Sequence, residues 1–90
     1  MLLALLLATS VTVPAPIHWM ENDFAGAVAK GKAQNKLVFV DAWATWCHSC
    51  LSMQRFVLVD PGMKAVADEV IWASIETETE KNRDFTEKYA

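Results

Sequence analysis

The stretch "KLVFVDAWATWCHSC", residues 36–50, decides how this chain is read. From Leu37 to Val40 it is a continuous apolar run with β-branched members. Such a run suits a central strand buried on both faces more than an alternating edge strand. A lone carboxylate, Asp41, ends it, and two cysteines three residues apart, Cys47 and Cys50, follow. The chain has no other cysteine. Spacing alone leaves three uses for the pair: a redox dithiol, half of a metal site, or a structural staple.

Beyond the cysteines, Leu51, Gln54, Arg55 and Leu58 keep helical spacing, which predicts a helix from Cys47 to about Val57. Cys47 then occupies the first turn, where unpaired backbone N–H groups and the positive end of the helix dipole stabilise a thiolate. Thiols so placed ionise at about pH 3.5–7.5 instead of about 8.5, making Cys47 the expected nucleophile. Cys50, one turn inward, is expected to be more buried and protonated, suiting it to resolve a mixed disulfide formed at Cys47. To do so it must lose a proton. Asp41, at the end of a buried strand beneath that helix, would be desolvated and could accept the proton directly or through a water. The alternative for Asp41 is a surface turn cap.

His48 and Ser49, between the cysteines, are expected to tune the redox potential. An imidazolium at His48 would favour the Cys47 thiolate and make the pair more oxidising, unless the ring simply faces solvent. Trp43 is assigned to the core. Trp46 is assigned to an apolar shelf beside the exposed sulfur, where a partner would dock.

A structural zinc commonly takes four Cys and His ligands. The only imidazoles are His18 and His48, and His48 lies inside the CxxC, where ligation together with both cysteines would be strained. No metal is therefore expected. Covalent haem attachment needs His immediately after the second cysteine, where Leu51 stands.

Outward from this stretch, Asn22 to about Lys32 reads as a helix capped by Asn22 or Asp23 and ended by Gly31 and "AQNK". "DPG", residues 60–62, is an N-cap followed by a first-turn proline and opens a short helix to Ala67 or Asp68. "VIWASIE" makes a second strand, and "EKNRDFTEKYA" a final helix with Phe85 and Tyr89 four residues apart. Two strands joined by a helical crossover of about twenty residues imply a parallel βαβ unit. A two-stranded parallel sheet leaves unpaired edges and uncovered faces, so part of the sheet is expected to be missing.

The N-terminal "MLLALLLA" is too short to span a bilayer and runs into "TSVTVPAP". Residues 1–15 read as a signal peptide and linker, with Ala8 and Ser10 as the small residues of a cleavage site, although no Lys or Arg precedes Lys30. An apolar N-terminal strand is the alternative. Residues 16–90 form the domain. Export, with a periplasmic location, would put the thiols in an oxidising compartment. The net charge of -3, with scattered lysines, gives no footprint for nucleic acid. A content of 53% hydrophobic residues and 21% charged ones is that of a chain with a packed core.

The motif carried by "KLVFVDAWATWCHSC" resembles the strand and active-site helix of the thioredoxin superfamily, V-D-x-W-A-x-W-C-x-x-C. The continuation "SMQRFVLVDPGMKAVADEVIWASIETE" is similar to the thioredoxin-like C-terminal domain of the DsbD family of transmembrane thiol reductases, and to small exported thioredoxin-like proteins. The resemblance runs from about Trp19 to Ala90. It implies a three-layer α/β/α fold of which this chain holds the N-terminal, βαβ-containing part. The family's cis-proline loop, last antiparallel strands and last helix would follow residue 90. It also implies a thiol-disulfide oxidoreductase, leaning to disulfide reductase or electron relay, with Cys47 attacking, Cys50 resolving, and Asp41 as buried acid/base. No cofactor is implied; the implied partners are protein thiols and disulfides, with a membrane thiol reductase as electron donor. His48-Ser49 stands where thioredoxin has Gly-Pro, so the potential does not carry over. Two other classes fit the residues: a redox-inactive interaction module with a passive disulfide, and a small zinc module.

Overall fold

The first helix starts because Asp23 caps it: its carboxylate accepts the Gly26 backbone N–H at 2.9 Å. The structure, a computed structural model, describes residues 16–89, so the expected signal and linker segment lies outside the described residues. Helix α1, Phe24–Gln34, continues through Gly31 and ends at Asn35, which is left-handed at φ 55°. Gly31 does not stop the helix as expected from sequence. It is buried, and a Cβ there would lie 2.7 Å from the Lys36 carbonyl oxygen, so glycine serves close packing of the helix on the chain that leaves it.

Among the described residues three strands form one parallel sheet: β1, Trp19–Glu21; β2, Leu37–Trp43; and β3, Val70–Glu76, in the order β1-β3-β2. Two sequence readings need correction. β1 was not expected, and it turns the two-stranded sheet into three strands. The apolar run of β2 is not a strand buried on both faces: it is an edge among the described residues, with Leu37 80% and Phe39 43% exposed. The central strand is β3, with Ile71, Trp72, Ala73 and Ile75 buried. Both strands are continuously apolar, and apolar continuity does not say which will lie in the middle.

Side-chain alternation divides the sheet into two faces. On one, Val38 and Val40 of β2 join Ile71, Ala73 and Ile75 of β3 against Ala27 and Phe24 of α1. Fully burying an isoleucine such as Ile75 contributes about 1.5–3 kcal/mol. The final helix α3, Arg83–Tyr89, closes this face as Phe85 meets Phe24 at a centroid distance of 4.9 Å and Tyr89 meets Phe24 at 5.8 Å. It is preceded by a 3-10 turn, Glu80–Asn82, so the α-helix begins later than the sequence suggested. On the opposite face, Phe39, Trp72 and Trp19 stack from strand to strand, with neighbouring centroids 4.9 and 5.6 Å apart.

Helix α2, His48–Ser52, follows β2 and continues as one π-helical segment, Met53–Val57. The predicted span is therefore helical throughout, but its second half is widened. Asp60 accepts the Gly62 N–H at 2.6 Å and opens the "DPG" helix, which is a 3-10 helix over Pro61–Ala65.

Candidate active site

The site lies where β2 runs out at its carboxyl end. Ala44 is buried, and the Cys47 N–H donates to the Ala44 carbonyl at 3.0 Å, closing a turn that delivers the chain from strand to helix. Cys47 is the N-cap of α2. The Cys50 backbone N–H donates to its sulfur at 3.2 Å, so one of the free amides of the helix start is spent on Sγ. Cys47 and Cys50 are joined as a disulfide, their Cα atoms 5.2 Å apart. Both residues are half-buried in the disulfide form.

Ser49 places its Oγ 3.7 Å from Cys47 Sγ, and His48 is exposed. Trp46 is 69% exposed on the approach to Cys47, and its indole N–H donates to Glu78 Oε1 at 3.3 Å. Glu78 belongs to the segment after β3, whose backbone is tied to β2 by the Thr77 N–H on the Trp43 carbonyl at 2.8 Å. Trp43 is half-buried, and its indole N–H donates to Ser74 Oγ at 2.9 Å, so this side chain is more than core filling.

Asp41 is half-buried on the same face as Trp43, and its hydrogen-bond partner is Gln54, whose Nε2 donates to Asp41 Oδ2 at 2.9 Å. A cleft of about 340 Å³ opens here, lined by Trp19, Glu21, Asp41, Trp43, Gln54, Leu58 and Ser74. The disulfide is not part of its wall. Asp41 thus meets the helical stretch that carries Cys50 through Gln54, one turn beyond the cysteine.

Sequence reasoning missed Gln54, Ser74, Glu78 and the asparagine pair Asn22 and Asn82. Ser74 had a signal, as the polar residue inside an otherwise apolar run. Asn82 is buried; its amide nitrogen donates to Asn22 Oδ1 and to the Glu76 carbonyl, each at 2.9 Å. Asn22 Oδ1 also accepts the Glu76 N–H at 3.0 Å, so the two asparagines clamp the ends of β1 and β3 close to the site. Among the described residues no three His, Cys, Asp or Glu side chains converge as metal ligands would. No helix among them is long and apolar enough to cross a membrane.

A parallel sheet with helices on both faces and a Cys-x-x-Cys disulfide where a strand passes into a helix defines a thiol-disulfide redox class of domain. Comparison with known sequences makes this specific: the chain belongs to the thioredoxin-like family, whose model matches residues 19–89. Over 55 residues it is 29% identical to the thiol:disulfide interchange protein DsbD of Pseudoalteromonas atlantica, covering 61% of this chain and 9% of that protein. Over 49 residues it is 31% identical to DsbD of Colwellia psychrerythraea, covering 54% of this chain and 8% of that protein. The matches span less than a tenth of the length of these relatives. No solved structure matches.

Proposed function

We propose that the protein is a thiol-disulfide oxidoreductase acting on protein disulfides, in the reductase or electron-relay direction. The observation that carries this reading is the Cys47–Cys50 disulfide at the start of a helix, with the Cys50 amide on Cys47 Sγ. Once the bond is reduced, the same amide and the helix start favour the Cys47 thiolate, which attacks a substrate disulfide and forms a mixed disulfide. Asp41 accepts the proton of Cys50, and the Cys50 thiolate attacks the Cys47 sulfur and releases the reduced substrate. Trp46 offers the substrate an apolar platform beside the sulfur, while His48 and Ser49 set the potential. No cofactor takes part.

The resemblance to DsbD supports export to the periplasm, with a membrane thiol reductase supplying electrons. Equilibration of the protein in graded glutathione buffers, read by thiol trapping and mass spectrometry, tests the reading. The expected result is a sharp two-electron transition between roughly -270 and -120 mV.

A second reading, a redox-inactive interaction module with a passive disulfide, draws on the exposure of Trp46 and of Phe56, 70% accessible on the π-helical turn. A transition indistinguishable from that of the same chain in denaturant would favour it over the first.

A further inference from the structure

We infer that Gln54 is a positioning residue for thiol exchange: its side-chain amide holds the Asp41 carboxylate in the orientation from which it takes the Cys50 proton. The inference rests on the proposed role of Asp41 as that proton's acceptor and adds the residue that controls it.

The argument starts from the sheet register. Asp41 of β2 pairs with Ser74 of β3, and Ser74 pairs with Glu21 of β1, so the three form one row across the sheet on the face that bears the cleft. The cleft volume of about 340 Å³ accommodates several waters, at roughly 30 Å³ each. Ser74 Oγ accepts from the Trp43 indole, which leaves the serine hydroxyl proton for a water or for Asp41. A proton taken up by Asp41 therefore has an exit through the cleft. Among the described residues, Glu21 on β1 is the only other titratable group lining it; β3 contributes Ser74, and the chain after α2 contributes Gln54 and Leu58.

Of these, Gln54 alone donates to the carboxylate from the helical stretch that carries Cys50. A glutamine is a neutral donor: it fixes Oδ2 and leaves the charge of Asp41 unpaired, so the carboxylate stays available as a base. An Arg or Lys here would hold the carboxylate more firmly in its ionised form and weaken it as a base. A second carboxylate would make the two groups share a proton. In the step itself, Cys47 has formed a mixed disulfide. The proton of Cys50 passes to Asp41, the Cys50 sulfur bonds to the Cys47 sulfur, and the substrate sulfur leaves with the electron pair.

The test uses the pre-reduced full chain and oxidised glutathione as probe. The decay of the glutathione adduct on Cys47 is followed by acid quench and mass spectrometry from about pH 3 to about pH 9, a window that includes the ordinary carboxylate range. For the wild type, resolution is expected to rise with pH through an acid-side inflection, and Asp41→Asn should remove that inflection. Gln54→Leu takes away a hydrogen bond to the charged form and should move the inflection to higher pH. Gln54→Glu, which keeps the shape of the side chain and carries the test should the leucine variant unfold, should also move it up. An inflection that survives Asp41→Asn unchanged overturns the role of Asp41, and that of Gln54 with it. An inflection abolished by Asp41→Asn but unmoved in a folded Gln54 variant overturns Gln54 alone.

Discussion

The backbone N–H of Cys50 donates to the sulfur of Cys47 at 3.2 Å, so Cys47 caps the helix start through its own sulfur. The two cysteines are therefore not interchangeable. Cys47→Ser should abolish exchange with a disulfide substrate, because no sulfur remains at the helix start. Cys50→Ser keeps the amide and the Cys47 sulfur and, in the proposed mechanism, removes only the resolving thiol. It should accumulate a mixed disulfide, visible as a mass increase reversed by dithiothreitol. A Cys50→Ser variant that gathers no adduct would show that Cys47 is not the attacking group.

The Trp46 indole N–H donates to Glu78, and the residue is 69% exposed. Trp46→Ala should leave stability within about 0.5 kcal/mol, since surface changes away from buried features seldom do more. If Trp46 is a docking platform, KM for a protein disulfide should rise while the reaction with a small disulfide such as oxidised glutathione is unchanged. Equal losses on both substrates would assign Trp46 to the geometry of the Cys47 turn instead.

The strand-to-helix placement of the CxxC was legible because its signals are local: a β-branched run, then helical spacing from Cys47 onward. The faces of β2 were not. Leu37 and Phe39 read as buried because they are apolar, yet burial is decided by which strand takes the centre, and that depends on pairing with β3 and on β1. β1 has only three residues, Trp19–Glu21, too few to show a period of two. Gly31 read as a stop because glycine commonly ends helices; here its missing side chain admits the Lys36 backbone, a long-range packing requirement that propensity does not encode. Asp41 stood out as the one charge in an apolar stretch, and it lies within β2, two residues before its end. Its partner could not be read in advance, because the widening of the helix at Met53–Val57, where Gln54 lies, has no sequence signature of its own.

The Asn22–Asn82 clamp provides a stability test independent of the chemistry. Asn82 is 4% exposed and spends both amide hydrogens, on Asn22 Oδ1 and the Glu76 carbonyl. Asn82→Ala leaves the Glu76 carbonyl without this donor in a buried setting and should cost about 1–3 kcal/mol. Urea unfolding should show a lower midpoint with an unchanged slope. A loss below about 0.5 kcal/mol would mean that water replaces the amide at no penalty.

Gly31→Ala should also destabilise the protein, although alanine is the better helix former by about 1 kcal/mol. The new methyl would meet the Lys36 carbonyl oxygen at 2.7 Å and Val38 Cγ2 at 3.2 Å, and the first of these is backbone. Moving it displaces the entry to β2, at a typical overpacking cost of about 1–3 kcal/mol. Urea unfolding with a net loss of stability is the expected result. A gain would show that the loop after α1 yields without strain.

Ser49 provides the test nearest to the sulfur. Its Oγ lies 3.7 Å from Cys47 Sγ, and on reduction the hydroxyl can donate to the thiolate. Stabilising the reduced state raises a reduction potential, so removing the donor must lower it. Ser49 is exposed, which holds the bond to the ordinary net value of a hydrogen bond, about 1 kcal/mol. For a two-electron couple this corresponds to about 20 mV, so Ser49→Ala should be about 20 mV more negative than wild type in glutathione equilibration. Ser49→Thr keeps the hydroxyl and should stay near the wild-type value. Should both variants fall together, the size of the side chain, and not its donor, sets the potential at this position.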